Sequence, residues 1–532
     1  MDEGRRGDRE HVTIARLVRV AAERHGDRPA IVDGDEVLSF SRLAREVQRA
    51  ARSLQATGVT RGDRVALWAP NGWRWIVAAL AVHSTGAALV PINTRFKGEE
   101  AAYVLSKSGA RALFATTDFL GVDALAMLEA SGARLSALET VVVLSGLTPA
   151  RASTWDAFLG SADAVPADVA DARALAVEPD DVCDIMFTSG TTGRPRGAMA
   201  THAQTLRAFR DWSDIVGLRA SDRYLVALPF FHSFGYKAGW LASLMMGATT
   251  YPLAVFDVNA VLDRVERHGI TVLPGPPSLY QSILARDDLA TRKLDTLRLA
   301  VTGAAVVPVE LVGRMHREIG FDTVLTGYGL TEATGVSTLC RDGDDPETIA
   351  ATSGRAIPGV DVRVVDDAGR DVPPGTAGEV VVSGYTLMKG YFDDHGATAE
   401  TFDDAGRLRT GDIGVMDARG YLRITDRKKD MFIVGGFNAY PAEIEAVLLR
   451  HAAVAQVGVV GAPDSRLGEV GVAFVVPRAG MAIDEEELIA WSRERMANYK
   501  VPRRIVQVDT LPTNATGKVL KYRLRELARD AK

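Results

Sequence analysis

Cysteine is nearly absent from this chain: Cys183 and Cys340 are its only two. Two thiols supply neither a disulfide framework nor a metal-ligand cluster, and they suit a reducing cytoplasm. Long apolar runs are lacking as well. No stretch approaches the ~18 uninterrupted apolar residues of a membrane span. Residues 1–10 are charged and have no apolar signal core. Neither an integral membrane span nor a secretory leader is expected. Positive charge is not in excess: Lys plus Arg number 62 against 68 Asp plus Glu, a formal charge of −6. Without a basic block, nucleic acid is not an expected partner. Internal repeats and low-complexity tracts are missing too.

What is present is an ordinary globular balance of 47% hydrophobic and 24% charged residues over 532 positions. At about 150 residues per domain, such a length allows several domains. Short apolar or β-branched runs at 65–68, 88–91, 112–115, 141–144, 224–228, 271–273 and 297–301 read as buried strands. Helical patterns lie between them, such as 259–268, which stops on Gly269. Alternation of this kind predicts an α/β fold with largely parallel sheets. After about residue 355 the texture changes. Residues 362–365 and 379–383 read as strands joined by a tight turn at Asp366-Asp367-Ala368-Gly369. The charged run 426–430 reads as an interdomain linker. The last ~100 residues read as a small separate unit. It has a helix from Pro441, strands at 457–460 and 472–476, and a helix over 485–496.

The most informative segment is Thr188-Ser189-Gly190-Thr191-Thr192-Gly193-Arg194-Pro195-Arg196-Gly197, fed by the apolar strand Ile185-Met186-Phe187. Its three glycines let backbone approach a ligand closely. Successive N–H groups in such a loop make an anion nest, to which four hydroxyls and two arginines add donors and charge. By composition alone the same ten residues suit a polar surface turn equally well. An ordinary P-loop does not fit, since no Gly-Lys-Ser/Thr follows at the required spacing.

Further segments follow in order. Leu228-Pro229-Phe230-Phe231-His232-Ser233-Phe234-Gly235 sets a histidine among aromatics, and a lone histidine there is most often structural. Thr302-Gly303-Ala304-Ala305 and Gly327-Tyr328-Gly329-Leu330-Thr331-Glu332 each follow a strand. Thr410-Gly411-Asp412, Asp426-Arg427, Lys429 and Gly435-Gly436-Phe437-Asn438 come next. Near the end lies Leu511-Pro512-Thr513-Asn514-Ala515-Thr516-Gly517-Lys518, whose lysine alone would count as a solvated tail charge.

Taken together and in this order, the segments resemble the acyl-adenylate-forming superfamily: acyl-CoA synthetases, adenylation domains of peptide synthetases, and firefly luciferase. The resemblance runs from about Thr13 to Leu527. Two departures are visible, Arg196 where the family usually has Lys, and Val306 where it usually has Pro. The resemblance implies a large N-terminal domain, residues 1–428, of two stacked α/β subdomains plus a small β-barrel at about 355–428. A small mobile α+β C-terminal domain, 429–532, would be hinged at Lys429. It implies ATP, Mg²⁺ and coenzyme A as co-substrates and cofactor, a small carboxylic acid as substrate, and it allows a homodimer.

Site roles follow from the same resemblance. Thr188, Ser189, Gly190, Thr191, Thr192, Gly193 and Arg196 would hold the polyphosphate. Gly303, Ala304 and Ala305, with Gly327, Tyr328 and Gly329, would sandwich adenine. Asp412 would meet the ribose, and Arg427 the same sugar or a phosphate. Gly435, Gly436 and Phe437 would border the pantetheine arm. Glu332, with Thr188 beside it, would hold Mg²⁺. Thr331 would contact the α-phosphate or the acyl carboxylate, His232 would line the carboxylate and thiol route, and Lys518 would be the catalytic lysine. The acid would first become an acyl-adenylate with loss of pyrophosphate, and a thiol would then displace AMP.

Coenzyme A is the expected acceptor, because the chain stops a few residues after the lysine segment and no carrier domain follows. A ligase that loads a carrier protein, and a catalytically silent nucleotide sensor, are the alternatives. The acyl wall is expected at 232–246 with 327–330. There Ser233, Phe234, Tyr236, Trp240, Leu244 and Met245 favour a fatty, aromatic or alicyclic acid. Lys237 is expected at a helix edge facing solvent; otherwise it would meet a second polar group on the substrate. The run from Phe231 to Gly239 is similar to actinobacterial synthetases acting on steroid-ring degradation acids.

Overall fold

In the computed structural model, seven strands form a sheet in the order Ser153–Thr154, Thr140–Ser145, Ala112–Thr116, Arg64–Trp68, Ala88–Pro91, Val182–Ser189 and Pro195–Thr201. Residues 13–189, 194–303, 309–366, 368–427, 431–512, 519 and 521–530 are described. All neighbours in this sheet run parallel except the last pair. A second sheet has two four-stranded halves. One holds Arg223–Val226, Thr249–Pro252, Pro29–Asp33 and Glu36–Ser39; the other holds Leu299–Gly303, Thr323–Tyr328, Thr338–Leu339 and Arg355–Ala356. Val272 joins the halves, bridging to Tyr224 on one side and to Leu299 on the other. The sequence predicted a full strand at 271–273. Backbone hydrogen bonds do run along it, from Leu273 N–H to Leu299 O at 3.0 Å and from Gly275 N–H to Val301 O at 3.1 Å, but Pro274, Pro276 and Pro277 cannot donate, and the bridges centre on Val272 alone.

The helix Trp73–Thr85 holds the sheets together. Its residues from Trp75 to Thr85 are all buried. It touches Arg64–Trp68 and Ala88–Pro91 of the first sheet and Pro29–Asp33 of the second. A helix apolar on all faces belongs in an interior. Its entry is fixed by Asp33, whose Oδ2 accepts from the Trp73 N–H at 3.0 Å.

The β-rich region is a four-stranded antiparallel sheet: Val360–Val365, Ala377–Gly384, Leu408–Met416 and Leu422–Arg427. One detail of the expected hairpin is corrected. The turn after Val365 closes on itself, with the Asp366 N–H donating to Arg370 O at 2.9 Å and Val365 bridging Asp371. The chain reaches its partner strand only at Ala377. Asp426 and Arg427, expected in the linker, close the last strand opposite Ile413 and Asp412.

The small C-terminal domain has a sheet in the order Phe437–Ala439, Phe432–Val434, Gly468–Pro477 and Val454–Asp464, with Arg504–Gln507 added beside Gly468–Pro477. Helices Pro441–Leu448, Glu485–Arg493 and Lys521–Asp530 accompany it. No helix among the described residues is long and apolar enough to cross a membrane.

A charged pair lies at the centre of the large domain, and it corrects the placing of Lys237. That side chain is 1% exposed, and its Nζ lies 3.0 and 3.1 Å from the two carboxylate oxygens of Asp184, also 1% exposed. Asp184 sits four residues before Thr188 on the strand Val182–Ser189. Lys237 sits on the π-helix Tyr236–Leu241, whose neighbouring Tyr236 hydroxyl meets His83 Nε2 at 2.8 Å. Burial holds the His83 pKa well below its ordinary value, so Tyr236 faces a neutral ring. One buried charge without the other is costly, whereas an apolar pair of similar volume is tolerated. Lys237→Met should therefore lower stability by about 3–5 kcal/mol, and D184L/K237M should restore most of it. Urea unfolding midpoints check this; a single variant as stable as the parent would refute it.

Candidate active site

Thr188 lies at the end of a buried strand, opposite Arg196, and Ser189 lies opposite Pro195. The two stems of the glycine-rich loop are thus antiparallel neighbours. Of the expected loop ligands, Gly190, Thr191, Thr192 and Gly193 lie outside the described residues, as does the Ser189 side chain.

The stems meet a carboxylate. Thr188 Oγ1 donates to Glu332 Oε1 at 3.1 Å. The Tyr391 hydroxyl donates to the same oxygen at 2.9 Å. Glu332 belongs to the 3₁₀ turn Thr331–Ala333, where it and Thr331 are half-buried. Tyr391 arrives on residues 389–392, which run along the strand Pro195–Thr201. The Met199 N–H donates to Gly390 O at 3.1 Å, and the Phe392 N–H to Gly197 O at 2.7 Å. Sequence reasoning missed Tyr391: a tyrosine after a glycine in a loop carries no motif.

Arg196 stands with its guanidinium carbon 5.5 Å from the Tyr391 ring centroid and its Nε 4.0 Å from Asp394. A planar guanidinium can stack on a ring and still present donors, a use that the family's usual lysine does not match. The departure from the motif thus has a local physical reason.

A second cluster forms where Gly303 pairs with Gly327 across two parallel strands. A side chain at position 327 would lie 2.9 Å from Thr338 O, so glycine is needed for strand packing. Gly329 is as crowded, with Gly335 O only 2.4 Å from where a Cβ would sit. The Tyr328 hydroxyl donates to Asp412 Oδ2 at 2.6 Å. The residues expected at adenine and at ribose are therefore in contact. Ala304 and Ala305 lie outside the described residues, as do Lys429, Lys518 and the Arg427 side chain.

His232 caps the short turn Ser233–Gly235, its Nδ1 accepting from the Phe234 N–H at 3.3 Å. The ring touches solvent, yet the protein around it lowers its pKa by desolvation. With Nδ1 accepting, the neutral ring carries its hydrogen on Nε2 and offers a donor. Ser233 packs near Gly335, and Phe234 packs edge-on against Trp212 at 6.5 Å. The rest of the expected acyl wall is corrected. Tyr236 and Trp240 stack on each other at 5.0 Å and pack against Trp75 in the core. Leu244 lines a small core cavity with Ile31 and Phe40. Helical spacing carries these side chains past the cleft and between the sheets.

Gly435 and Gly436 form the turn between Phe432–Val434 and Phe437–Ala439, with φ of +55° and +86° that glycine tolerates. A Cβ on Gly436 would lie 3.9 Å from Pro276 of the large domain. Phe437 stacks on Tyr499 at 4.9 Å, under the Arg95 guanidinium at 4.8 Å.

Mg²⁺ is often bound by one or two carboxylates plus phosphate oxygens and water. Among the described residues no group of three or more His, Cys, Asp or Glu gathers. Glu332, with two neutral hydroxyls on one oxygen, fits that sparse requirement.

Family models for the AMP-binding enzyme and the AMP-binding enzyme C-terminal domain match residues 18–392 and 443–518. The chain belongs to the AMP-binding enzyme family. It is 48% identical to the (7a-methyl-1,5-dioxo-octahydro-1H-inden-4-yl)propanoyl:CoA ligase of Rhodococcus jostii, over 97% of this chain and 98% of that one. A double mutant of o-succinylbenzoate CoA synthetase from Bacillus subtilis, bound with its product analogue, matches with a TM-score of 0.82 at 28% identity. That match covers 98% of this chain and 99% of the other. ATP-bound MatB from Rhodopseudomonas palustris matches with a TM-score of 0.69 at 29% identity, over 98% and 99%. This AMP-binding enzyme is an acid–CoA ligase of the AMP-forming type, using ATP, Mg²⁺ and coenzyme A.

Tyr391→Phe removes one of the two hydroxyl donors on Glu332 Oε1. Hydrogen bonds to a charged group contribute about 1.5–3 kcal/mol, so the Mg²⁺ needed for half-maximal activity should rise about tenfold or more. A magnesium titration of pyrophosphate release checks this, and an unchanged midpoint would remove Tyr391 from the site.

Proposed function

We propose that this ligase activates a ring-bearing, keto-substituted carboxylic acid of the kind named for its Rhodococcus relative, and that the residues above divide the work of two half-reactions. The observation that carries the assignment of roles is the convergence of Thr188, Tyr391 and Glu332 on one oxygen beside the loop stems. The contact of Tyr328 with Asp412 adds to it.

In the first step a carboxylate oxygen of the acid attacks the α-phosphorus of ATP. The new P–O bond replaces the bond to pyrophosphate, which leaves. A carboxylate needs no general base; the obstacle is the repulsion between two anions. Lys518, Glu332 with Mg²⁺, and the loop donors at Thr188, Ser189, Gly190, Thr191, Thr192 and Gly193 offset it. Tyr328 and Asp412 hold the nucleoside, and Thr331 orients the reacting carboxylate. When bound, Mg²⁺ neutralises charge on the phosphates. His232 donates from its Nε2–H to the acyl oxygen in this reading, which its Nδ1 contact with the Phe234 N–H supports. In the second step the coenzyme A sulfur attacks the acyl carbon, AMP leaves with its oxygen, and the thiol proton passes to water.

The small domain, residues 429–532 in this reading, turns about Lys429 between the steps. The higher TM-score with the relative holding its CoA product analogue than with the ATP-bound one supports the second-step arrangement here. So does the approach of Gly436 to Pro276, which puts the glycine turn at the large domain.

A panel of acids assayed by pyrophosphate release tests the substrate class. Bicyclic keto acids bearing a propanoate arm should be preferred over acetate and over straight medium or long chains; the reverse order would overturn it. Lys518→Ala should slow adenylation by about 100-fold or more while ATP binding changes little. An unchanged adenylation rate would remove Lys518 from the mechanism.

A further inference from the structure

Lys500 is a charge buried at the junction of the two domains. Its side chain is 1% exposed, and its Nζ lies 2.5 Å from Glu443 Oε1 and 2.6 Å from Glu100 Oε1. Glu443 belongs to the small-domain helix Pro441–Leu448, and Glu100 to the large-domain helix Gly98–Ser108. The ammonium thus has one carboxylate from its own domain and one from the other. Its surroundings are dry: Nζ stands 4.5 Å from the Phe96 ring centroid and 5.6 Å from that of Tyr499. One apolar cluster runs through the junction, joining Trp68, Phe96 and Ala101 to Val434, Ile444 and Val501.

Three neighbours tie this charge to the glycine turn that borders the pantetheine arm in the reading above. Tyr499 precedes Lys500 and carries Phe437 stacked on its ring at 4.9 Å. Phe437 follows the Gly435-Gly436 turn directly. The Tyr499 hydroxyl accepts from Asn93 Nδ2 of the large domain at 3.4 Å. Where Lys500 is seated against Glu100, the turn is seated against Pro276. A buried ion pair is weak evidence for stability, because desolvation offsets the attraction; its attested use is to specify one register over others.

We propose that Glu100, Glu443 and Lys500 form a buried charged latch that holds the small domain in the arrangement serving thioester formation, with Glu100 as the large-domain positioning residue. This rests on the two-step reading above. Rotation of the small domain separates Lys500 from Glu100, and both regain water, so the latch acts in one arrangement and is silent in the other. It favours the second step without taking part in its chemistry.

Glu100→Gln is the discriminating variant. Glu100 Oε2 also accepts from the Lys97 N–H at 2.9 Å at the start of its helix. Glutamine keeps an acceptor for that cap and removes only the charge. ATP–pyrophosphate exchange reads the first half-reaction, and single-turnover conversion of preformed acyl-adenylate with coenzyme A reads the second. The exchange rate should hold or rise, while the second rate should fall about tenfold or more. Glu100→Asp retains the charge at shorter reach and should fall less, in the second step alone, which covers the case of an unfolded glutamine variant. Equal losses in both half-reactions, or no loss in the second, would overturn the latch. A parent enzyme that exchanges pyrophosphate yet forms no CoA ester would instead refute the two-step reading itself.

Discussion

Glu332 ties together parts of the chain that lie far apart in sequence. Its Oε1 accepts from Thr188 on a strand of the first sheet and from Tyr391 on a segment past the second strand of the β-rich sheet. Its backbone carbonyl accepts from the Met388 N–H at 2.9 Å. Two hydroxyl donors on one oxygen orient the carboxylate, and the other oxygen keeps its acceptor capacity. Three structural regions are therefore positioned by one group that is also suited to a hard cation. Arg196 extends the arrangement through the Tyr391 ring, so the guanidinium at a lysine position is part of the same assembly.

Much of this was legible in the sequence. Strands at 88–91 and 112–115, and the helix ending on Gly269, announced themselves by β-branched runs and by a C-terminal glycine. The order of the glycine-rich loop, Tyr328, Glu332 and Asp412 pointed to a nucleotide site before any geometry existed, and Tyr328 and Asp412 do touch. Contacts that depend on the meeting of distant elements could not be read. Tyr391 carries no motif, and its role follows from the strand it lies along. Lys237 reads as a surface charge because lysines rarely lie in cores. Only the fold places Asp184 opposite it. The acyl wall was overextended for a related reason: spacing along a helix says which residues share a face, not which face meets the cleft.

The two buried lysines occupy different situations. Lys237 is fixed within a single domain, between the helix Tyr236–Leu241 and the strand Val182–Ser189, so its pairing with Asp184 is part of the large domain's core. Lys500 lies where two domains press together, and of its two carboxylate partners only Glu100 comes from across the junction. The same chemistry, a desolvated ammonium paired with carboxylate, serves as architecture in one place and joins two domains in the other.

The segment 389–392 has another effect. The strand Pro195–Thr201 is the last in its sheet, and its outer rim of N–H and C=O groups would otherwise be open to another chain. Met199 and Gly197 exchange backbone hydrogen bonds with Lys389, Gly390 and Phe392 of the passing segment instead. The loop that delivers the Tyr391 hydroxyl thus covers a sheet edge beside the glycine-rich stretch. Resistance to edge-to-edge aggregation and the placing of the Tyr391 hydroxyl on Glu332 depend, at this border, on one and the same segment.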